Sequence, residues 1–233
     1  MSDIVFRSDM TVELVQHMGS DEAVVRAARV STGTFDGWDE KKDPGLINYL
    51  MRDRHGSPFE HNAFTFYVEA PIFVFREFMR HRIASYNEES GRYKELAPVF
   101  YVPGDDRKLV QVGKPGAYTF EDGTESQVKD TQAITRLASE RSYELYKKML
   151  DDGIAREVAR VVLPVNTYSS MYVTMNARAL MNFLSLRTAR EDTHFPSFPQ
   201  REIEMVAEKM ENLWAEKMPI TYETFNKNGR VSP

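Results

Sequence analysis

FTFYVEAPIFVFREFMRHRIASY, residues 64–86, changes its period partway along. From Phe64 to Ala70, aromatic and β-branched residues recur with period two, which predicts a half-buried strand. From Pro71 to Tyr86 the apolar positions follow helical spacing, and NEESG, 87–91, reads as the break. A strand running straight into a helix, without a βαβ spacing around it, points away from a doubly wound sheet.

The flanking sequence extends this pattern. Residues 9–19 read as a strand and 20–31 as a helix with Ser20 or Asp21 as its N-cap. PGLINYLMRDRHG, 44–56, starts on a proline suited to a first helical turn and closes at Gly56. Residues 101–125 are rich in Gly, Pro and Asp and read as a surface loop or hairpin. A long helix is predicted over 126–152, a short one over 156–164 stopped by Pro164, a strand over 168–175, and helices over 176–189 and 199–218. The expected class is α+β, a helix-rich single domain over 1–233 with a small, mostly antiparallel sheet.

Composition narrows the function. A net charge of -5 argues against a protein that coats nucleic acid, so no nucleic-acid partner is expected. The chain contains no cysteine, which rules out disulfides, thiolate metal sites, iron–sulfur clusters and a cysteine nucleophile. The opening MSDIVFRSDM lacks a basic-then-apolar signal, and no apolar run approaches the roughly 18 residues of a membrane span. A cytoplasmic location, with no membrane association, is the expectation. His55, His61 and His81 fit no standard metal spacing, so no metal site is expected.

Against that acidic background, RHRIASYNEESGRY (80–93) concentrates donors. On the predicted helix Arg76 and Arg80 are neighbours, whereas Arg80, His81 and Arg82 sweep about 200° and cannot serve one partner on one side. Arginine rather than lysine fills positions 76, 80 and 82, and its fork suits phosphate and planar rings. Ser90 and Gly91 add a hydroxyl and an unhindered backbone N–H beside Arg92. The residues therefore point to a nucleotide or another phosphorylated ligand, set against a solvated charged face. The helix from Asn176 carries polar groups on two sides, Arg178, Asn182 and Ser185 opposite Asn176 and Arg187, with apolar residues between. That suits a buried helix touching polar ligands; the simpler reading has Asn176 as a cap and Arg178 and Asn182 facing water. No Gly-rich phosphate loop of either common type is present.

Arg80-His81-Arg82, seven intervening residues and Ser90, with Asn87, Glu88, Arg92 and Tyr93 around it, resembles the signature of the flavin-dependent thymidylate synthases. The likeness extends through HGSPFEH (55–61), REVARVVLP (156–164) and NARALMNFLSLR (176–187). It implies a homotetramer with FAD bound between subunits and active sites shared by more than one chain. It implies reductive methylation of dUMP to dTMP, with 5,10-methylenetetrahydrofolate as carbon donor and NADPH as reductant through the flavin. By position, Ser57, Arg80, His81, Arg82 and Glu88 would contact FAD, joined by Asn176, Arg178 and Asn182 from another subunit. His55 would lie by the flavin where folate stacks. Glu77, Arg80, Glu88, Glu89, Ser90, Gly91, Arg92 and Arg160 would line the dUMP site, with Arg187 at the pyrimidine; a carboxylate at Glu77 has to face a sugar hydroxyl rather than the phosphate.

Without a thiol to add to the ring, two routes to a nucleophilic C5 remain open: attack by Ser90, or electrostatic polarisation by Arg187. A serine hydroxyl is far less acidic than a thiol and needs an activating base. Polarisation through Arg187 is the expected route. A nucleotide-binding protein without a chromophore and a flavin reductase without methyl transfer are the rival readings; neither requires Ser90-Gly91-Arg92 together with Arg160 and Arg187.

Overall fold

The computed structural model describes residues 3–33, 36–114 and 117–233. In chain order the elements are β1 (Val5–Arg7), β2 (Thr11–Met18), α1 (Asp21–Arg29), α2 (Asp43–Arg52), β3 (Ala63–Pro71), α3 (Ile72–Phe78), β4 (Ser85–Glu88) and β5 (Val99–Tyr101). There follow β6 (Val110–Lys114), β7 (Ala117–Glu121), α4 (Glu125–Asp151), α5 (Arg156–Ala159), β8 (Tyr168–Met175), α6 (Ala177–Arg187), α7 (Arg201–Ala215) and α8 (Pro219–Lys227). Short 3-10 turns occupy Val30–Thr32, Ser57–Glu60 and Arg160–Val162. The class is α+β and helix-rich, as the sequence predicts. Among the described residues no helix is long and apolar enough to cross a membrane.

One expectation is corrected. The helix predicted over 71–86 stops at Phe78, and 85–88 is strand. Arg80, His81 and Arg82 therefore lie on a non-helical segment and do not sweep around a helix axis. One reason is local and one tertiary: the Tyr86 hydroxyl donates to the His81 carbonyl oxygen at 2.7 Å, closing the segment as a loop, and Ser85–Glu88 joins a sheet beside the distant β8. Helical spacing cannot register a competing strand partner.

The chain divides into two compact units. The first contains Met1–Met10, Glu69–Met79 and Glu88–Met171. Here β1 pairs parallel with β5, Phe6 opposite Phe100, and β6 and β7 form an antiparallel hairpin within the predicted 101–125 region. Pro115 and Gly116, also in that region, lie outside the described residues. The core is Phe100, Tyr143, Tyr146 and Ala159, with Phe6, Met149 and Leu163 packed against it. Helix α4 starts with a capping box: the Thr124 hydroxyl accepts from Gln127 N–H, and the Gln127 side chain accepts from Thr124 N–H.

The second unit contains Thr11–Val68, Arg80–Asn87 and Tyr172–Pro233. Its sheet runs in the order β2-β3-β8-β4. Phe64, Phe66 and Val68 alternate into the core from β3, as their period requires, and Val24, Ile47, Leu180, Phe183, Met210, Trp214 and Phe225 pack there from the helices. Helix α1 is capped by Ser20, whose hydroxyl accepts from Ala23 N–H. Helix α8, which the sequence reading leaves unassigned after its last predicted helix at 199–218, starts on a remote residue: the buried Asp21 carboxylate accepts from Ile220 N–H at 3.0 Å, and from Thr221 N–H at 2.8 Å and its hydroxyl at 2.6 Å. An anion at a helix N-terminus stabilises it.

Candidate functional site

The first unit gathers one group of the predicted residues. Beyond β4 the chain turns at Ser90, whose carbonyl accepts from Tyr93 N–H at 3.0 Å while its hydroxyl accepts from Arg92 N–H at 3.3 Å. Gly91 is buried, and a Cβ there would stand 3.1 Å from Leu96 Cδ1 and 3.3 Å from Arg160 Cδ. A side chain at 91 would push Leu96 and Arg160 back by a few tenths of an ångström. Arg92 Nε donates to Glu157 at 3.0 Å across an exposed pair, tying the same turn to the short helix α5. Glu88, Glu89, Ser90, Gly91, Arg92 and Arg160 thus form one cluster. Glu77 lies on α3, half-buried.

Two residues that sequence reading missed hold the carboxylates of this cluster. The buried Ser169 donates its hydroxyl to Glu88 at 3.0 Å, and Ser170 donates to Glu89 at 3.2 Å. Glu89 N–H donates to the Ser170 carbonyl at 2.8 Å, and Lys94 pairs with the Glu89 carboxylate at 2.8 Å. The adjacent serines of YSSMYVTM are the only local signal, and nothing in their spacing names a partner 81 residues away. Loss of water pushes the Glu88 carboxyl above the ordinary range; the Ser169 hydrogen bond opposes this, the Glu89 charge adds to it and the Arg160 charge offsets it.

The second unit gathers the other group. Arg187, in the last turn of α6, donates its Nε–H to His81 Nε2 at 3.0 Å. The His81 ring meets the buried Phe183 edge-on at 4.9 Å. Burial, with the Arg187 charge beside it, pushes His81 down to about 4. The ring is therefore neutral near neutral pH, accepts at Nε2 and carries its proton on Nδ1. Two residues far apart in sequence are locked as one donor–acceptor pair.

The end of α6 is itself clamped. The Thr188 hydroxyl donates to the Leu184 carbonyl at 2.7 Å and accepts from Arg230 at 2.8 Å. Arg230 in turn donates to the buried Glu211 carboxylate at 2.6 Å, and Arg190 donates to the other Glu211 oxygen at 2.9 Å. At the opposite end, the Asn176 side-chain oxygen caps the helix by accepting from Ala179 N–H at 2.8 Å. Arg178 donates to the Pro233 carbonyl and to Glu60, each at 2.5 Å, and Asn182 is exposed. The capping role of Asn176 and the exposure of Arg178 and Asn182 follow the simpler of the two sequence readings. A Cβ on Gly56 would stand 2.6 Å from the Arg178 guanidinium, so this glycine admits Arg178 against the segment between His55 and Ser57.

His55 and Ser57 line a cleft of about 610 Å³ with Arg29, Ser31 and Tyr49. Tyr49 meets His55 edge-on at 5.4 Å. Arg29 is held on the buried Asp43 carboxylate. A cleft of this size, with one tyrosine ring, apolar side chains and a few hydroxyl and imidazole groups, suits a flat heterocycle. Arg80 and Arg82 are exposed on the loop after α3. The first cluster thus offers arginines, a serine and a bare backbone for an anion, and the second a neutral histidine, a fixed cation and a cleft.

The sequence matches the profile of the thymidylate synthase complementing protein family over residues 13–220. A flavin-dependent thymidylate synthase of Streptomyces avermitilis is 64% identical over 234 residues, covering 98% of this chain and 95% of the relative. One from Tropheryma whipplei is 59% identical over 235 residues, covering 99% of this chain and 98% of the relative. Among solved structures, PolB of Streptomyces cacaoi, described as a UMP/dUMP methylase, superposes with a TM-score of 0.93 at 57% identity, over 99% of this chain and 100% of that one; it was crystallised with 5-Br UMP.

Proposed function

The chain belongs to the thymidylate synthase complementing protein family, the flavin-dependent thymidylate synthases, and on that premise we propose that it methylates dUMP reductively to dTMP, with 5,10-methylenetetrahydrofolate as carbon donor and NADPH as reductant through FAD. The likeness over nearly the whole chain carries this reading, and the absence of cysteine from the sequence agrees with a route that uses no thiolate.

The residues fit the flavin. The 610 Å³ cleft beside His55 and Ser57 and the cationic loop at Arg80 and Arg82 are the groups that a heterocycle carrying a diphosphate requires. His55, Ser57, Arg80, His81, Arg82 and Glu88 hold FAD, and Asn176, Arg178 and Asn182 reach it from another subunit. Bound FAD supplies the reducing electrons drawn from NADPH. A homotetramer is part of this proposal. Ile134 and Leu137, 66% and 68% exposed one turn apart on α4, support an assembled state, since a lone chain would leave them wet.

Arg92, Arg160, Ser90 and the Gly91 N–H hold the dUMP phosphate. Glu88 and Glu89, fixed by Ser169 and Ser170, face the sugar hydroxyls with Glu77, because a carboxylate against the phosphate would repel it. Arg80 lies between the two ligands. Arg187 polarises the pyrimidine. The Nε bond to His81 positions its guanidinium, and a fixed cation at the ring stabilises negative charge developing at N3 and O2. His81 orients the guanidinium through that bond without adding a charge. The whole of 1–233 acts as one synthase domain, in the cytoplasm.

The test is a visible absorption spectrum of the purified protein before and after dUMP, followed by turnover. Oxidised-flavin bands that shift on adding dUMP, with dTMP formed, are expected. Protein that stays colourless after incubation with FAD overturns the cofactor assignment; yellow protein that oxidises NADPH without forming dTMP is a reductase. Ser90→Ala separates the chemical routes, since abolished turnover with dUMP still bound would reinstate serine attack.

A further inference from the structure

Helices α2, α4 and α8 close with the same pair of backbone bonds. After α4, Gly153 N–H donates to Leu150 and Ile154 N–H to Met149, at 3.0 and 2.9 Å. After α8, Gly229 N–H donates to Asn226 and Arg230 N–H to Phe225, at 3.1 and 2.9 Å. After α2, Arg54 N–H donates to Met51 and His55 N–H to Leu50, at 3.3 and 2.9 Å. This closure needs a left-handed residue, and glycine is the usual one because a Cβ crowds the next carbonyl. Gly153 and Gly229 meet the need at φ of 82° and 72°. At the third position stands an arginine, Arg54, at φ 66°. A long cationic side chain kept where the fold asks for glycine points to a use for that side chain.

Its surroundings indicate the use. Arg54 lines a cleft of about 450 Å³ with Met51, Arg52, His194 and Phe195. Arg52 is committed to Asp53, with both bonds at 2.9 Å. No hydrogen bond or ion pair holds the Arg54 guanidinium among the described residues. His194 is fixed: its N–H donates to the Gly229 carbonyl at 2.9 Å, and a Cβ on Gly229 would stand 3.1 Å from His194 Cβ. Phe195 meets the His194 ring edge-on at 4.5 Å and is 67% exposed, an aromatic face left open to solvent.

We infer that this cleft binds the anionic end of a co-substrate, Arg54 forking a phosphate or carboxylate and Phe195 covering the ring attached to it. The inference rests on the proposed function, which supplies two such ligands: NADPH with its phosphates, and a folate with its glutamate carboxylates. The sequence offers no Gly-rich loop for a dinucleotide phosphate, so side chains must do that work. Phosphate and carboxylate share the chemistry that a guanidinium fork recognises.

The test is Arg54→Gly in the flavin-loaded protein. The change removes the cation and also relieves the left-handed strain, so folding is not put at risk; Tm is expected to rise by roughly 2–4 °C. Calorimetric titration with adenosine 2′,5′-bisphosphate and with a tetrahydrofolate triglutamate is compared in wild type and variant, together with KM for NADPH and for the folate. One probe should bind the wild type and weaken on the order of tenfold in the variant, as for a lost hydrogen bond to a charged group, with KM of the matching co-substrate rising in step. Weakening of the bisphosphate assigns the cleft to NADPH; weakening of the triglutamate assigns it to the folate. Equal affinities for both probes in the two proteins, or no binding of either, overturns the inference. Absence of dTMP from the wild type would instead strike the proposed function, and the titrations would still decide the cleft.

Discussion

Acidification should break the His81–Arg187 pair, and the effect on stability can be worked out. In the unfolded chain His81 titrates near 6.5, and in the fold it is pushed down to about 4 by burial and by Arg187. A base whose folded value is depressed is protonated more readily when unfolded. Its contribution is therefore fully present above 6.5 and is lost as pH falls from 6.5 toward 4. Linkage gives a loss of about 2 kcal/mol between roughly pH 7.5 and 5, reduced to about 1 kcal/mol because the ring is only half-buried and solvent screens it. Urea denaturation across that range should show the loss in wild type and not in His81→Gln, which can keep an acceptor but cannot titrate. Carboxylates elsewhere in the chain also respond to pH, so the difference between the two proteins is the quantity to read. An identical slope in both would refute the claim that His81 is held neutral against Arg187.

Three further outcomes follow from the geometry. Arg187→Ala should lower kcat by about 10²–10³, the cost of one preorganised donor, and Arg187→Lys should recover little of it because both the fork and the Nε bond to His81 are lost; near-normal turnover at saturating dUMP would remove Arg187 from the chemistry. Gly91→Ala should raise KM for dUMP with little change in Tm, since the new methyl displaces Arg160 and Leu96 from contacts of 3.3 and 3.1 Å; an unchanged KM would show that the turn does not seat the substrate. Arg230→Met leaves Glu211 buried with one partner removed and should cost about 3–5 kcal/mol in denaturant unfolding, with Arg230→Lys intermediate; a loss below about 1 kcal/mol would mean that Arg190 alone neutralises Glu211.

Much of the fold was legible because its causes are local. Ser20 caps α1, the 168–175 strand is bounded as its pattern indicates, and α4 ends at a glycine in the left-handed region. What failed had distant causes. Helix α8 is rich in β-branched and aromatic residues, and it starts because Asp21, some two hundred residues earlier, accepts its first N–H groups. Strand β1 is three residues long and pairs with residues 99–101. The break of the 71–86 helix depends on Tyr86 and on a sheet partner, neither visible as periodicity. In the candidate site, the charged and glycine positions stood out as types, and family likeness supplied their roles. The residues that orient them, Ser169, Ser170 and Arg230, look ordinary in sequence and become meaningful only through the partners that folding gives them.

The chain passes between its two compact units five times, after Met10, Val68, Met79, Asn87 and Met171. No single cut can release either unit intact, and no contiguous gene fragment encodes one. The residues proposed for the nucleotide phosphate and those proposed for the flavin cleft are thus interleaved along one message. A recombination event that swapped one whole unit for another would have to exchange three separate stretches in register. The two capacities are bound to be inherited together, and a designer wishing to graft one of them must carry the other along.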